Sequence, residues 1–319
     1  MSQEQGNLGD HTYDVIVIGG GPAGLTAGLY CSRDRLDTLL IERGPYGGQI
    51  ATTTEVENFP GFVDGILGPE LGEKILAQAK KFGLKNATGN VTRIANGGPV
   101  KHVTLDDREL TARALIIASG SSPNKLGVPG EQELSGRGVS YCATCDGPFF
   151  RDKSLAVVGG GNSAVEEGTF LTRFASKVTI IHRRDSLRAD KILQERAFAN
   201  PKMAVLWDSV VEKILGTDKV TGVFVRNVKT GEQKALPFDG VFVMVGSSPN
   251  TDFLKGLVEL DERGYVKANR LKETSVPGIF VAGDVQDYIF RQAITAAGEG
   301  AAAAISAERY LAHGTSQRA

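Results

Sequence analysis

Cys142-Ala143-Thr144-Cys145 is followed at once by Asp146. Two intervening residues bring the sulfurs close enough to cycle between dithiol and disulfide, and in a reducing compartment such a pair is more often catalytic than structural. The motif alone also allows an inert reduced pair. A zinc site needs four clustered ligands, and the four histidines, at 11, 102, 182 and 313, all lie away from the pair, so no metal site is expected. Attack by sulfur requires the thiolate, and a free cysteine titrates near about 8.5, so a helix N-terminus is expected after Cys145 to support ionisation. The third cysteine, Cys31, falls in an apolar segment and reads as a small core residue.

Three further constellations surround the pair. Tyr13 to Ile18 is a β-branched apolar run that ends in Gly19-x-Gly21-x-x-Gly24 and passes into a helix-like segment. The first glycine allows the turn, the second lets backbone approach a pyrophosphate, and the third lets helix and strand pack closely. A second strand, Thr38 to Glu42, ends in an acid at the distance where a carboxylate takes ribose hydroxyls. The alternative is a plain turn with a surface glutamate. The pattern recurs from Ser154 through Gly159, Gly161, Asn162 and Ser163, followed by the strand Lys177 to Ile181. Here His182, Arg183 and Arg184, with Arg188 a helical turn on, replace the acid. Bases at this place suit the 2′-phosphate of NADP; a solvated charged loop is the plainer reading. Finally, a buried strand ends in Gly283-Asp284, and Arg291-Gln292-Ala293 opens an alanine-rich helix expected to run to Tyr310. Asp284 can accept from a polyol hydroxyl, and the helix N-terminus favours negative charge developing on a reduced flavin ring.

These segments predict an α/β fold with two Rossmann-like dinucleotide-binding domains, the second inserted into the first. Gly120-Ser-Ser-Pro-Asn124 and Gly246-Ser-Ser-Pro-Asn250 are identical exits from apolar strands and mark the crossovers, with Gly and Pro-Asn breaking each strand. The expected domains are 1–123 and 250–319 for the outer fold, with about 1–11 flexible, and 124–249 for the inserted one. A length of 319 residues suits two such domains. The net charge of -1 gives no basis for nucleic-acid binding, and without a long apolar run no membrane association is expected, so the cytoplasm is the expected location.

Together, Gly19 to Gly24, Gly48-Gln49, Thr52 to Gly61, Cys142 to Gly147, Gly159 to Glu167, His182 to Arg188 and Gly283 to Ala293 resemble the low-molecular-weight thioredoxin reductases, a class of flavoprotein pyridine nucleotide-disulfide oxidoreductases. The likeness runs from about residue 13 to about 312. It implies FAD on the outer domain, NADPH on the inserted one, a thioredoxin-like protein as acceptor and a homodimer. Residue by residue, it implies that Gly19, Gly21, Pro22, Ala23 and Gly24 meet the FAD pyrophosphate and Glu42 its ribose. It places Gln49 and Asn58 on the flavin side, and Asp284, Arg291, Gln292 and Ala293 at the ribityl chain and ring. Arg43, Gly48, Val91, Gly283 and Gly246 complete the cofactor-binding set. Ser163, Ser247 and Ser119 depart mildly from the pattern. Cys145 is the sulfur expected to meet the flavin, and Asp146 either the proton donor to the leaving thiolate or a helix cap. Nicotinamide and sulfur cannot share one ring face, so the inserted domain is expected to rotate on the two crossovers. A dithiol oxidase or a nucleotide-linked redox sensor on the same scaffold are the competing functions; an oxidase would have no use for the arginines.

Overall fold

Val15, Ile16, Val17 and Ile18 are all buried and point alternately to two faces, so this strand must be covered on both sides. The computed structural model describes residues 11–52 and 55–316, and it sets this strand at the centre of a sheet. The expected flexibility of the N-terminus falls almost wholly on residues outside those described, as do Thr53 and Thr54 of the Thr52–Gly61 motif. In chain order the first elements are β1 (Thr12–Ile18), α1 (Pro22–Arg33), β2 (Thr38–Glu42), the short β3 (Glu55–Val56) and β4 (Ile66–Leu67), and α2 (Gly68–Lys80). Then come β5 (Lys85–Thr88), β6 (Val91–Gly97), β7 (Val100–Leu105), β8 (Arg108–Ile117) and β9 (Ser121–Pro123). The middle of the chain holds β10 (Val139–Ser140), α3 (Ala143–Asp146), β11 (Ser154–Gly159), α4 (Asn162–Leu171), β12 (Lys177–Ile181) and α5 (Lys191–Ala199). It continues with β13 (Met203–Leu206), β14 (Ser209–Gly216), β15 (Val220–Asn227), β16 (Gln233–Pro237), β17 (Gly240–Met244) and β18 (Ser247–Pro249), before β19 (Ile279–Val281) and α6 (Ala293–Ser316).

Pro123–Ser247 forms one compact unit, and the chain before and after it forms the other. In the outer unit the sheet order is β5-β2-β1-β8-β7-β6, with β19 also on β8. β1, β2, β5, β8 and β19 run parallel, whereas β6, β7 and the first half of β8 form an antiparallel meander that the sequence reading did not anticipate. One face, with Val15, Val17, Leu40 and Ile116, packs on α1 and α6; the other buries Ile16, Ile18, Leu39 and Ile117. Each fully buried Val, Leu or Ile contributes roughly 1.5–3 kcal/mol. Cys31 joins the first of these clusters, and burial pushes its thiol up to about 12, as suits a core residue.

The inserted unit has the parallel sheet β10-β17-β11-β12-β13 and a separate antiparallel sheet, β14-β15-β16. The two Gly-Ser-Ser-Pro-Asn segments are more ordered than strand breakers: β9 and β18 pair with each other as a ribbon. Asn250 ties its end, with Nδ2 donating to Ser119 O at 2.8 Å and Ser119 Oγ donating to Asn250 O at 2.8 Å. Among the described residues no helix is long and apolar enough to cross a membrane.

Candidate functional site

Cys142 and Cys145 are joined as a disulfide, with Cα atoms 5.4 Å apart. The helix is not where the sequence suggested. α3 begins at Ala143, so Cys142 is its N-cap, and Cys142 Sγ accepts the Cys145 N–H at 3.2 Å. A short 3-10 turn, Gly147–Phe150, follows Cys145 instead of a helix. The N–H-rich end of α3 therefore favours negative charge on the Cys142 sulfur. The Ala143 N–H donates to Glu167 of α4 at 3.1 Å, and the buried Ser140 hydroxyl accepts the Cys142 N–H at 3.1 Å. Tyr141, next to Cys142, donates to Glu131 at 3.0 Å. Glu131 also accepts N–H bonds from Leu126 at 2.9 Å and Gly127 at 2.8 Å, so its buried carboxylate is well partnered. Asp146 makes no side-chain capping bond to the turn after it. Burial raises its pKa, opposed by a hydrogen bond from Ser140, which keeps a proton on it to higher pH than an ordinary aspartate.

At the first glycine turn the three glycines have separate reasons. A Cβ at Gly19 (φ +111°) would lie 2.2 Å from Ala118 O, and one at Gly24 would lie 1.8 Å from Gly19 O. A Cβ at Gly21 would meet only Gly48 Cα, at 3.9 Å, which is ordinary contact. Pro22 takes the first position of α1, where its missing N–H costs nothing, and Ala23 is buried beneath. Glu42, at the end of β2, accepts N–H bonds from Gly20 at 2.5 Å and Gly44 at 2.8 Å, while Arg43 is exposed. Gly48 closes against Gly21, and the exposed Gln49 begins a 3-10 turn with it. Asn58 Nδ2 donates to Gln292 Oε1 at 3.3 Å, joining two candidate residues 234 positions apart. Val91 is an exception: its side chain is in the core, leaving only backbone for a ligand.

Gly283 follows β19, and its N–H donates to Glu299 at 2.7 Å; Glu299 also accepts from Lys272 at 2.8 Å. Burial raises the Asp284 carboxyl to about 6, with Arg291 lowering it and Asp287 and Glu299 raising it. Arg291 holds a positive φ of 48° just before Ala293 opens α6, which runs on past the expected end at Tyr310.

The second turn repeats the logic in the inserted unit. A Cβ at Gly159 would lie 2.4 Å from Met244 O, whereas one at Gly161 would meet nothing within 4 Å. Ser163 is exposed in the first turn of α4, and Gly246, with φ +101°, accepts the Asn124 N–H at 2.9 Å at the end of β17. The basic group divides. His182 is only 5% exposed, its ring fills the space beside Gly160, and burial lowers its pKa. The buried ring thus wedges under the turn with its charged form disfavoured, which sets it apart from the exposed arginines it was grouped with. Arg183, Arg184 and Arg188 are exposed and make no ion pair among the described residues, whereas Asp185 pairs with Lys229 at 2.8 Å. Asn162 spends its amide on Asp190, a residue the sequence reading did not single out. Glu131 and Tyr141 were also missed; the only hint was an acid in a Pro-Gly turn.

The pyridine nucleotide-disulphide oxidoreductase family pattern matches residues 13–300. A thioredoxin reductase of Listeria monocytogenes is 53% identical over 300 residues, covering 94% of each chain. One from Bacillus subtilis is 52% identical, covering 94% of this chain and 95% of its own. The crystal structure of a Streptococcus pyogenes thioredoxin reductase superposes with a TM-score of 0.90 at 49% identity, covering 95% of this chain and 99% of that one.

Proposed function

We propose the following task for this chain, which belongs to the pyridine nucleotide-disulphide oxidoreductase family and within it to the thioredoxin reductases: it passes two electrons from NADPH, by way of FAD, to the disulfide of a cytoplasmic thioredoxin-like protein. The observation that carries the cofactor assignment is the middle glycine of each turn. At Gly21 and Gly161 the protein itself leaves room for a side chain, so a ligand approaching the backbone is what requires glycine. FAD, when bound, supplies a two-electron relay between a nicotinamide hydride and a sulfur pair.

The chain's own residues do the rest. In the outer unit Gly21 and the start of α1 receive the pyrophosphate, Glu42 the ribose, and Asp284 the ribityl chain. In the inserted unit Gly161 and the start of α4 receive the second nucleotide, and Arg183, Arg184 and Arg188 its 2′-phosphate. Cleavage of the Cys142–Cys145 bond takes two electrons and one proton: the charge developing on the leaving Cys142 sulfur is favoured by the start of α3 until Asp146 gives it a proton, which leaves Cys142 a thiol and Cys145 a thiolate. The resulting dithiol then exchanges with the acceptor's disulfide, restoring Cys142–Cys145. Because nucleotide turn and disulfide share one unit, they take turns, and the β9–β18 ribbon is where the chain bends. The working form is a homodimer, to be checked by light scattering.

The purified protein should be yellow, bleach on NADPH addition, and turn over NADPH only with a thioredoxin present. Absence of flavin, or undiminished thioredoxin reduction by a variant with both Cys142 and Cys145 changed to Ser, would overturn the proposal.

A further inference from the structure

The residue before a helix commonly spends its side-chain oxygen on an exposed N–H of the first turn, and Asp is among the best at it. Asp190 stands in that place before α5, yet its carboxylate makes no capping bond. It reaches back 28 residues and accepts from Asn162 Nδ2 at 2.9 Å, while its own N–H donates to Asn162 Oδ1 at 2.9 Å. Asn162 is the first residue of α4, the helix that the second glycine turn opens. Two residues before Asp190, the Arg188 N–H donates to Gly160 O at 2.7 Å.

The loop that bears the arginines is therefore fixed at both ends. At its start the His182 N–H donates to Leu206 O at 3.0 Å and the His182 ring lies beside Gly160. At its end three hydrogen bonds fasten Arg188 and Asp190 to the glycine turn. Arg183 and Arg184 project between these fastenings. A carboxylate here also sits close in sequence to the arginines, where it weakens the local positive field and so works against anion binding. Forgoing the cap and accepting that charge make sense if holding the loop is what Asp190 is for.

We propose that Asn162 and Asp190 form a specificity clamp. It holds the arginine loop against the glycine turn before the nucleotide arrives, so the arginines need not be ordered on binding. Asp190 is a positioning residue and does not touch the nucleotide. The inference rests on the reading of Arg183, Arg184 and Arg188 as the 2′-phosphate contacts. NADH has no 2′-phosphate and makes no demand on the loop, so loss of the clamp falls on NADPH alone.

The test is steady-state kinetics of the holoenzyme with saturating thioredoxin, varying NADPH and NADH in turn. In Asp190→Ala the KM for NADPH should rise roughly three- to tenfold, as for loss of one positioning hydrogen bond, with kcat and the KM for NADH little changed. Asp190→Asn keeps an acceptor oxygen for Asn162 Nδ2 and should restore most of the NADPH preference, which a general loss of folding would not. Equal rises for both nucleotides in Asp190→Ala, or no rise, would overturn the clamp. Arg183→Ala and Arg184→Ala are run in parallel: if they reduce the preference and Asp190→Ala does not, the clamp alone is wrong. If they leave the preference intact, the 2′-phosphate reading and the clamp fall together.

Discussion

The phenol of Tyr141 donates to the carboxylate of Glu131 at 3.0 Å, and this anchors the residue next to Cys142 to a side chain that is 2% exposed. Burial and the neighbouring carboxylate both push the phenol's pKa up, so it remains the donor across the working pH range. In Tyr141→Phe, Glu131 keeps the Leu126 and Gly127 N–H bonds but loses its third donor. The oxidised protein should lose about 1–2 kcal/mol in urea unfolding. Glu131→Ala strands three donors and should cost more, about 3 kcal/mol. An unchanged midpoint in both would mean that the turn before Cys142 is held by something else.

Asp146→Asn should leave flavin reduction by NADPH intact and slow the flavin's reoxidation by the disulfide on the order of a hundredfold, the usual scale for a lost general acid. Stopped-flow single turnovers separate the two phases. In the native protein the second phase should slow as pH rises through the raised Asp146 pKa and the proton is lost; the Asn variant should lack that dependence. Equal rates would exclude the proton-donor role.

For Asp284 the sign of the pH effect follows from its raised value. In the flavin-free protein the folded pKa, about 6, exceeds the ordinary 3.8, so its contribution to folding is fullest below the ordinary value and is lost as pH rises through about 6. A ribityl hydroxyl donates to the ionised form, so FAD affinity should strengthen over that same rise. Asp284→Asn should bind FAD more weakly and flatten both profiles. Calorimetric melts of the flavin-free protein and FAD titrations between about pH 4 and 7 measure them.

Gly160→Ala drives a Cβ to within 2.2–2.7 Å of three atoms of the His182 ring. Overpacking of a buried ring costs roughly 1–3 kcal/mol, and the displaced turn should also raise the KM for NADPH. The double variant with His182→Ala should recover part of the stability lost by Gly160→Ala, because the wedge is gone. Strict additivity in that cycle would show that the two residues do not press on each other.

The sequence by itself determined the features whose meaning lies within a few residues of backbone. The glycine turns are legible because a Cβ at Gly24 would strike Gly19 O, five residues back, although the obstruction at Gly19 comes from the distant Ala118; the disulfide is legible because Cys142 and Cys145 are three apart. The strands and helices around them follow from short-range apolar pattern. What only the tertiary structure decided are pairings between distant positions. His182 reads as one more base, until the fold buries it beside Gly160, 22 residues earlier, and disfavours its charged form. Asp190 drew no reading from the sequence, and only the fold brings Asn162 within 2.9 Å of it. Gly-Ser-Ser-Pro-Asn reads as a strand break, until a second copy of the same segment supplies the missing hydrogen-bond partner. In each case local propensity was overruled because a partner remote in the chain satisfied a polar group or filled a space that near neighbours left open.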